Sequence, residues 1–198
     1  MRIVLLRHGR TEANDRWLYC GSTDLPLTEA GREELRELRD AGGYPEIAGM
    51  TVYTSGLTRT EETLSVLYGE VPHSALTALR EMDFGDFEMH SYEELKESPV
   101  YRAWCEGDNE ANPTPGGESG ILMQRRVIDC IDRLIGRGED FLAVSHGGPL
   151  AAIMQHLFPD EGKNRYEWQP RNGRGFLITI DDRIKTWQPV PEGGERNG

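Results

Sequence analysis

The sequence predicts an α/β protein: a three-layer α/β/α sandwich around a mainly parallel central sheet, with a small helical cover. Three observations carry that prediction. Short apolar runs of strand type alternate along the chain with longer segments whose apolar residues recur at helical spacing. The runs Arg2-Ile3-Val4-Leu5-Leu6 and Phe141-Leu142-Ala143-Val144 are almost continuously apolar, as strands covered on both faces must be. Both runs end alike, the first in Arg7-His8-Gly9 and the second in Ser145-His146-Gly147-Gly148. In an open parallel sheet the carboxyl ends of the strands face the ligand crevice, so two histidines far apart in sequence are expected to meet there.

After the first strand comes a loop long enough to suspect function. Thr28 is placed to cap a helix that runs to Asp40, carries Leu35 and Leu38, and stops at Gly42-Gly43. A β-type run over residues 50–54 turns at Ser55-Gly56 into a helix from about Leu57 to Tyr68, with Leu57, Leu64 and Leu67 near helical spacing. Residues 75–89 read as extended, with Leu76, Leu79, Phe84 and Phe87 among polar neighbours, and short helical stretches near 92–97 and 100–106 are expected to form the cover. The Pro- and Gly-rich loop 112–117 precedes a helix over 118–135 whose Ile121, Ile128, Ile131 and Ile135 are expected to face the core. The strand Phe141–Val144 then enters a helix ending near Leu157, and closing strands are expected at 176–180 and 183–187, turned by Asp181-Asp182. Residues 1–188 are thus expected to be one domain with the cover inserted at about 82–117, followed by a flexible C-terminal tail, 189–198, rich in Pro, Gly and charge.

The chain has 198 residues, enough to bury a full core. Its formal charge of −12, from 22 basic and 34 acidic residues, argues against nucleic acid or anionic lipid as a partner, because clustered Lys and Arg bind those surfaces. No apolar stretch approaches the roughly 20 residues a membrane helix requires, and Met1 leads directly into a strand with no room for a leader, so the expected location is cytoplasmic. Cys20, Cys105 and Cys130 match no zinc or redox spacing and are expected to be free thiols of a reducing compartment. No motif sets an oligomeric state, which leaves a homodimer open.

The strand ends and the turn after the second strand bring together Arg7, His8, Arg59 and His146. Guanidinium groups bind phosphate oxygens in bidentate fashion, and free amides at the start of the helix after Gly147 add partial positive charge, so this set points to a phosphate. Taken alone, Arg59 reads equally as a helix arginine paired with Glu61 or Glu62, and Glu81 as a solvated carboxylate in an acidic stretch. His73, His90 and His156 carry no such context. Trp17, Tyr19, Phe87 and Trp104 are candidates for the pocket mouth or for packing, and Arg125 and Arg126 read as a solvated helix face.

Five blocks occur in one order: Arg7-His8-Gly9-Arg10-Thr11-Glu12-Ala13-Asn14, residues 55–63 around Arg59, residues 79–88 around Glu81, Pro115-Gly116-Gly117-Glu118-Ser119, and Val144-Ser145-His146-Gly147-Gly148. This ordered set resembles the histidine phosphatase superfamily, the phosphoglycerate mutase-like proteins, over residues 2 to about 157. The stretch 19–28 and the compact Phe84-Gly85-Asp86-Phe87-Glu88 are similar to those of small bacterial members such as the α-ribazole phosphatases. The resemblance implies phosphoryl transfer from a small phosphomonoester to His8, with Arg7, Arg59 and His146 around the transferring group and His146 protonated while phosphate is bound. It implies Glu81 as the general acid and base, a role that needs a raised pKa, which Met82 and Phe84 favour by desolvation. It further implies Asn14 as a phosphate contact, with Cys20, Gly21 and Gly147 bordering the substrate. No metal and no cofactor is required. The family's glycolytic mutases carry an arginine directly after the catalytic glutamate and a tyrosine two residues beyond it. This chain has Met82 and Phe84, which favours hydrolysis over the alternative of a bisphosphoglycerate-dependent mutase, while the presence of His8, Arg59, Glu81 and His146 together speaks against a non-catalytic module that binds phosphorylated ligands.

Overall fold

The apolar runs pair into one six-stranded sheet in the computed structural model, which describes residues 1–108, 110–182 and 184–191. Its strands are β1 (Arg2–Arg7), β2 (Thr51–Thr54), β3 (Ser74–Ala75), β4 (Phe141–Ser145), β5 (Gly175–Asp181) and β6 (Ile184–Val190), in the order β3-β2-β4-β1-β5-β6. β3, β2, β4 and β1 are mutually parallel, whereas β5 and β6 close one edge antiparallel. The helices are α1 (Glu12–Asp15), α2 (Glu29–Asp40), α3 (Thr58–Tyr68), α4 (Tyr92–Leu95), α5 (Pro99–Glu106), α6 (Gly120–Ile135) and α7 (Gly147–Leu157).

Alternation along β1 explains the three layers. Ile3 and Leu5 turn to one face with Phe141 and Ala143, where they pack with Met123, Val127 and Ile131 of α6 and with Leu150, Ile153 and Met154 of α7. Val4 and Leu6 turn to the other face with Leu142 and Val144, against Leu35 of α2 and Leu64 and Leu67 of α3. Burying each aliphatic side chain of this kind contributes about 1.5–3 kcal/mol. A one-residue slip of β1 would exchange the two sets and bring the wrong side chains to both helix layers, so the register Arg7↔Ser145 is strongly specified. That register sets His8 and His146 side by side, just past two neighbouring strand ends.

Helix starts follow the capping chemistry. The Thr28 hydroxyl accepts from Gly31 N at 3.0 Å and Ser119 from Leu122 N at 3.3 Å, so α6 begins at Gly120 rather than Glu118. Ser98 caps α5, with Pro99 at its first position. The cover is held by a third cluster, Phe87, Leu95 and Tyr101 with Tyr19, Phe84 and Trp104, and the Tyr19 and Tyr101 hydroxyls meet at 2.7 Å.

Several expectations need correction. Of residues 75–89 only Ala75, next to Ser74 in β3, pairs with the sheet, and 3₁₀ turns at Thr77–Leu79 and Gly85–Phe87 interrupt the remainder, because the chain leaves the sheet there to wrap the site. A short helix, α1, occupies the first loop. Ile121 is exposed; the inward stripe of α6 is Met123, Val127, Cys130, Ile131 and Leu134. Trp17 is also exposed, whereas Phe87 is buried in the cover. β6 runs through Pro189 and Val190, which pair with Phe176 and Gly175, so the expected tail does not begin at 189. The rest of that tail from 192 onward, and Arg183 at the expected strand start, lie outside the described residues.

Candidate active site

His8 and His146 form the floor of the site. Their ring centroids are 5.1 Å apart at 61°, both are buried, and the His8 amide donates to Ser145 O at 3.0 Å. Nδ1 of His8 lies 2.6 Å from Gly9 O. A carbonyl only accepts, so Nδ1 carries the proton, and Nε2 of the neutral ring keeps its lone pair. Burial first, then the charges of Arg59 and Arg7, hold His8 well below the ordinary histidine range, against the opposing pull of the Gly9 hydrogen bond. The structure therefore favours a neutral imidazole with a free nucleophilic nitrogen.

His146 has the opposite tautomer. Arg59 Nε–H, which only donates, meets its Nδ1 at 3.3 Å, and its Nε2 faces Ser55 Oγ at 2.9 Å. The chain continues to Thr60 Oγ1 at 3.1 Å, whose own proton goes to Leu57 O at 2.7 Å. The run His146 Nε2–H to Ser55 to Thr60 to a carbonyl points one way only, which leaves the Nδ1 lone pair towards the cage. Burial, followed by Arg59, His8, Arg7 and Arg126, also pushes His146 well below the ordinary range. The protein alone therefore keeps His146 neutral, and the imidazolium expected with bound phosphate requires the anion's own charge.

Two guanidinium groups complete the cage. Arg59 sits on the first turn of α3 and is 1 % exposed, so it is not a surface arginine paired with Glu61 or Glu62. Its terminal nitrogens donate to Thr23 O at 2.8 Å and Gly21 O at 2.7 Å, whereas Glu62 pairs with Arg32. Burial lowers the Arg59 pKa, and Cys20, Glu81, Asp24 and Glu88 oppose that shift. An arginine remains charged under such conditions. Arg7 donates to Pro170 O at 2.9 Å, while its buried Nε has no hydrogen-bond partner among the described residues. A buried, unpaired, charge-bearing donor is costly, and an anion's oxygen removes that cost.

Glu81 reaches the same place from the segment before the cover. Its carboxylate accepts from Gly148 N, at the start of α7, at 2.9 Å and from its neighbour Met82 N at 3.0 Å. Met82 is buried in the core. Asn14 lies beside the site, but its side-chain oxygen is taken by Thr11 N at 3.0 Å and Asn172 Nδ2 at 3.3 Å. Gly147 lies against Arg7, whose Cζ is 3.3 Å from where a Cβ would stand. Cys20 turns its thiol to Thr23 O at 3.6 Å, and burial pushes its pKa up. Gly21 holds the loop beside it, where a Cβ would fall 1.6 Å from Met82 O. The fold thus brings Arg7, His8, Arg59, Glu81, His146 and Gly147 together, with Asn14, Cys20 and Gly21 next to them.

Other residues were not legible in advance. Asn172 donates to His8 O at 3.0 Å and Gly9 O at 3.3 Å from a loop distant in sequence, with no local pattern to mark it. Ser55 follows a strand end and so obeyed the rule that singled out the histidines. Arg126, expected on a solvated face, instead donates to the carbonyls of Ala78, Arg80 and Glu81 at 2.9, 2.7 and 2.8 Å and pairs with Glu118. It folds back because the segment leading to Glu81 packs on α6 and turns these three carbonyls towards it. His73 and His156 pair with Glu61 and Asp132, away from the site.

Comparison with known proteins agrees with this geometry. The model of the histidine phosphatase superfamily (branch 1) matches residues 3–188. An adenosylcobalamin/α-ribazole phosphatase of Salmonella typhimurium is 35 % identical over 192 residues, covering 94 % of each chain. A 2,3-bisphosphoglycerate-dependent phosphoglycerate mutase of Parvibaculum lavamentivorans is 30 % identical over 91 % of each. The crystal structure of the α-ribazole phosphatase from Shigella flexneri superposes with a TM-score of 0.83 at 30 % identity, covering 95 % of both chains.

Proposed function

The chain belongs to the histidine phosphatase superfamily, branch 1, and from that premise we propose that it hydrolyses small phosphomonoesters in two steps through a phosphohistidine at His8. It is a metal-independent phosphatase-type enzyme. The single observation that carries the mechanism is the His8 ring, neutral, with Nδ1–H tied to Gly9 O and Nε2 open to a cage of Arg7, Arg59 and His146. Nε2 attacks phosphorus, the ester P–O bond breaks, and the proton of Glu81 goes to the leaving oxygen. Water then attacks the phosphohistidine, Glu81 takes its proton, and the N–P bond breaks to return His8. Covalent catalysis divides the displacement into two easier steps, and a preorganised positive cage supplies most of the stabilisation of the transferring group. In this scheme the unpaired Arg7 Nε, the second protons of the Arg59 terminal nitrogens and His146 Nδ1–H, once protonated, all meet phosphate oxygens.

Hydrolysis is favoured over mutase chemistry by the side chains just after Glu81. A mutase must hold a second anionic group while its intermediate reorients, yet Met82 is buried in the core and Phe84 packs on Tyr19 with ring centroids 5.1 Å apart. The relatives make α-ribazole phosphate the first substrate to test, alongside sugar phosphates, nucleotides and phosphoglycerates. The family match over 3–188 supports one catalytic domain. No helix among the described residues is long and apolar enough to cross a membrane, and the three cysteines are free, which supports work in the cytoplasm.

The test is aryl phosphate hydrolysis with EDTA present. Turnover that persists, is lost in His8→Ala and leaves an acid-labile phosphoprotein on rapid quenching is the expected result. Tight phosphate binding without turnover would make the chain a binding module. Isomerisation of phosphoglycerate faster than phosphate release would make it a mutase.

A further inference from the structure

Glu88 is the most heavily used acceptor near the site, and the mechanism of hydrolysis gives it no part. Its Oε1 accepts from Gly21 N at 2.8 Å, Ser22 N at 3.0 Å and Phe84 N at 3.0 Å, and its Oε2 from Gly21 N at 3.1 Å and Thr23 N at 3.2 Å. Four backbone amides thus converge on one carboxylate. Charge-assisted bonds of this kind are roughly twice as strong as neutral ones. The loop they gather is the one whose opposite side holds Arg59, through Gly21 O and Thr23 O. Residues 21–23 therefore lie between a carboxylate on their N–H side and a guanidinium on their C=O side, and each charge orients the peptide dipoles for the other. Arg59 has no carboxylate partner of its own among the described residues, so these two carbonyls and His146 define where its terminal protons point. The loop has little freedom to compensate, because Gly21 presses on Met82 O and Tyr19 is tied to the cover through Met89 N and His90 O.

We propose that Glu88 is a positioning residue for phosphoryl transfer: by collecting the amides of residues 21–23 it fixes the carbonyl pair that aims the Arg59 guanidinium at the transferring phosphate. The inference rests on the phosphatase reading of the site. Glu88→Gln keeps size and one acceptor oxygen but removes the charge and sets an NH₂ group against amide donors. With inorganic phosphate as the probe, followed by ³¹P NMR so that millimolar binding stays measurable, the dissociation constant is expected to rise by about tenfold or more. In an Arg59→Ala background the same change is expected to alter it less than about twofold, since the group Glu88 acts through is gone.

The pH profile supplies a second readout. Arg59 depresses both imidazoles, as does Arg7, with Arg126 acting on His146 as well, while Cys20, Glu81, Asp24 and Glu88 are the titratable groups that face Arg59 itself. Loosening Arg59 moves the acidic limb of kcat/KM to higher pH, whereas loss of the Glu88 charge alone would move it lower. An equal loss of phosphate affinity in both backgrounds, or a limb that stays or moves lower, overturns the proposal. Should Glu88→Gln not fold, Glu88→Asp, which keeps the charge and shortens the reach, is read in the same cycle. Wild-type protein that neither binds phosphate nor turns over would instead sink the phosphatase reading.

Discussion

Gly148→Ala separates catalysis from stability at a single atom. An ideal Cβ at Gly148 falls 2.3 Å from Glu81 Oε1 and 3.2 Å from its Cδ, where ordinary contact begins at 3.4 Å. The carboxylate must retreat by about 1 Å, a misplacement that costs up to about 10²-fold in rate when the group transfers a proton. The effects on folding nearly offset one another. The displaced atoms are the far end of a flexible side chain whose bonds from Gly148 N and Met82 N weaken, each worth about 1 kcal/mol, whereas alanine is favoured over glycine in a helix by up to about 1 kcal/mol. The assay is steady-state hydrolysis of an aryl and an alkyl phosphate, with the thermal midpoint measured beside it. Nitrophenolate leaves almost without a proton and alkoxide does not, so the loss in kcat is expected to be larger for the alkyl ester. The matching Gly147→Ala change brings a Cβ to 3.3 Å from Arg7 Cζ, a strain of a few tenths of an ångström, and is expected to cost less. Gly148→Ala protein with unchanged midpoint and kcat within about twofold of wild type on the alkyl ester would refute Glu81 as the proton donor from this position.

The remaining expectations concern charge. Both site histidines have folded-state pKa values lowered from 6.5, so the unfolded chain binds more protons as pH falls below that value. Stability is then complete above about pH 6.5 and declines below it until the lowered folded values are reached, by up to about 1.4 kcal/mol per pH unit for each histidine. Chemical denaturation from pH 8 to 5 measures this, and added inorganic phosphate is expected to flatten the slope because an anion in the cage favours the imidazolium. A slope unchanged in His8→Asn would contradict the assignment. Arg126→Met removes donors from three carbonyls and leaves Glu118 unpaired; because the pair is about a quarter exposed, a loss of about 2–3 kcal/mol is expected, with kcat falling as the Glu81 backbone shifts. A midpoint within about 2 °C of wild type, when each kcal/mol is worth about 2–4 °C at this size, would return Arg126 to the solvated surface.

The sequence alone determined the layers and the floor of the site. Continuous burial made β1 and β4 unmistakable, because a strand covered on both faces admits only apolar residues, and both histidines come directly after those strands in the chain. The cap at Thr28 was equally local. What only the tertiary structure decided is whatever depends on a partner distant in the chain. Arg126 has the same surroundings in sequence as Arg125, yet it reaches three carbonyls of the 78–81 segment, and nothing local in the sequence separates the two. Asn172 carries no periodicity or motif, and Glu88, although it closes the 79–88 block, has nothing in that block to tell a loop anchor from a solvated side chain. Periodicity records which face of an element avoids water, so it reports burial well, but the pairing of a buried polar group is set by where another segment happens to leave its amides and carbonyls, and only the folded chain brings those together.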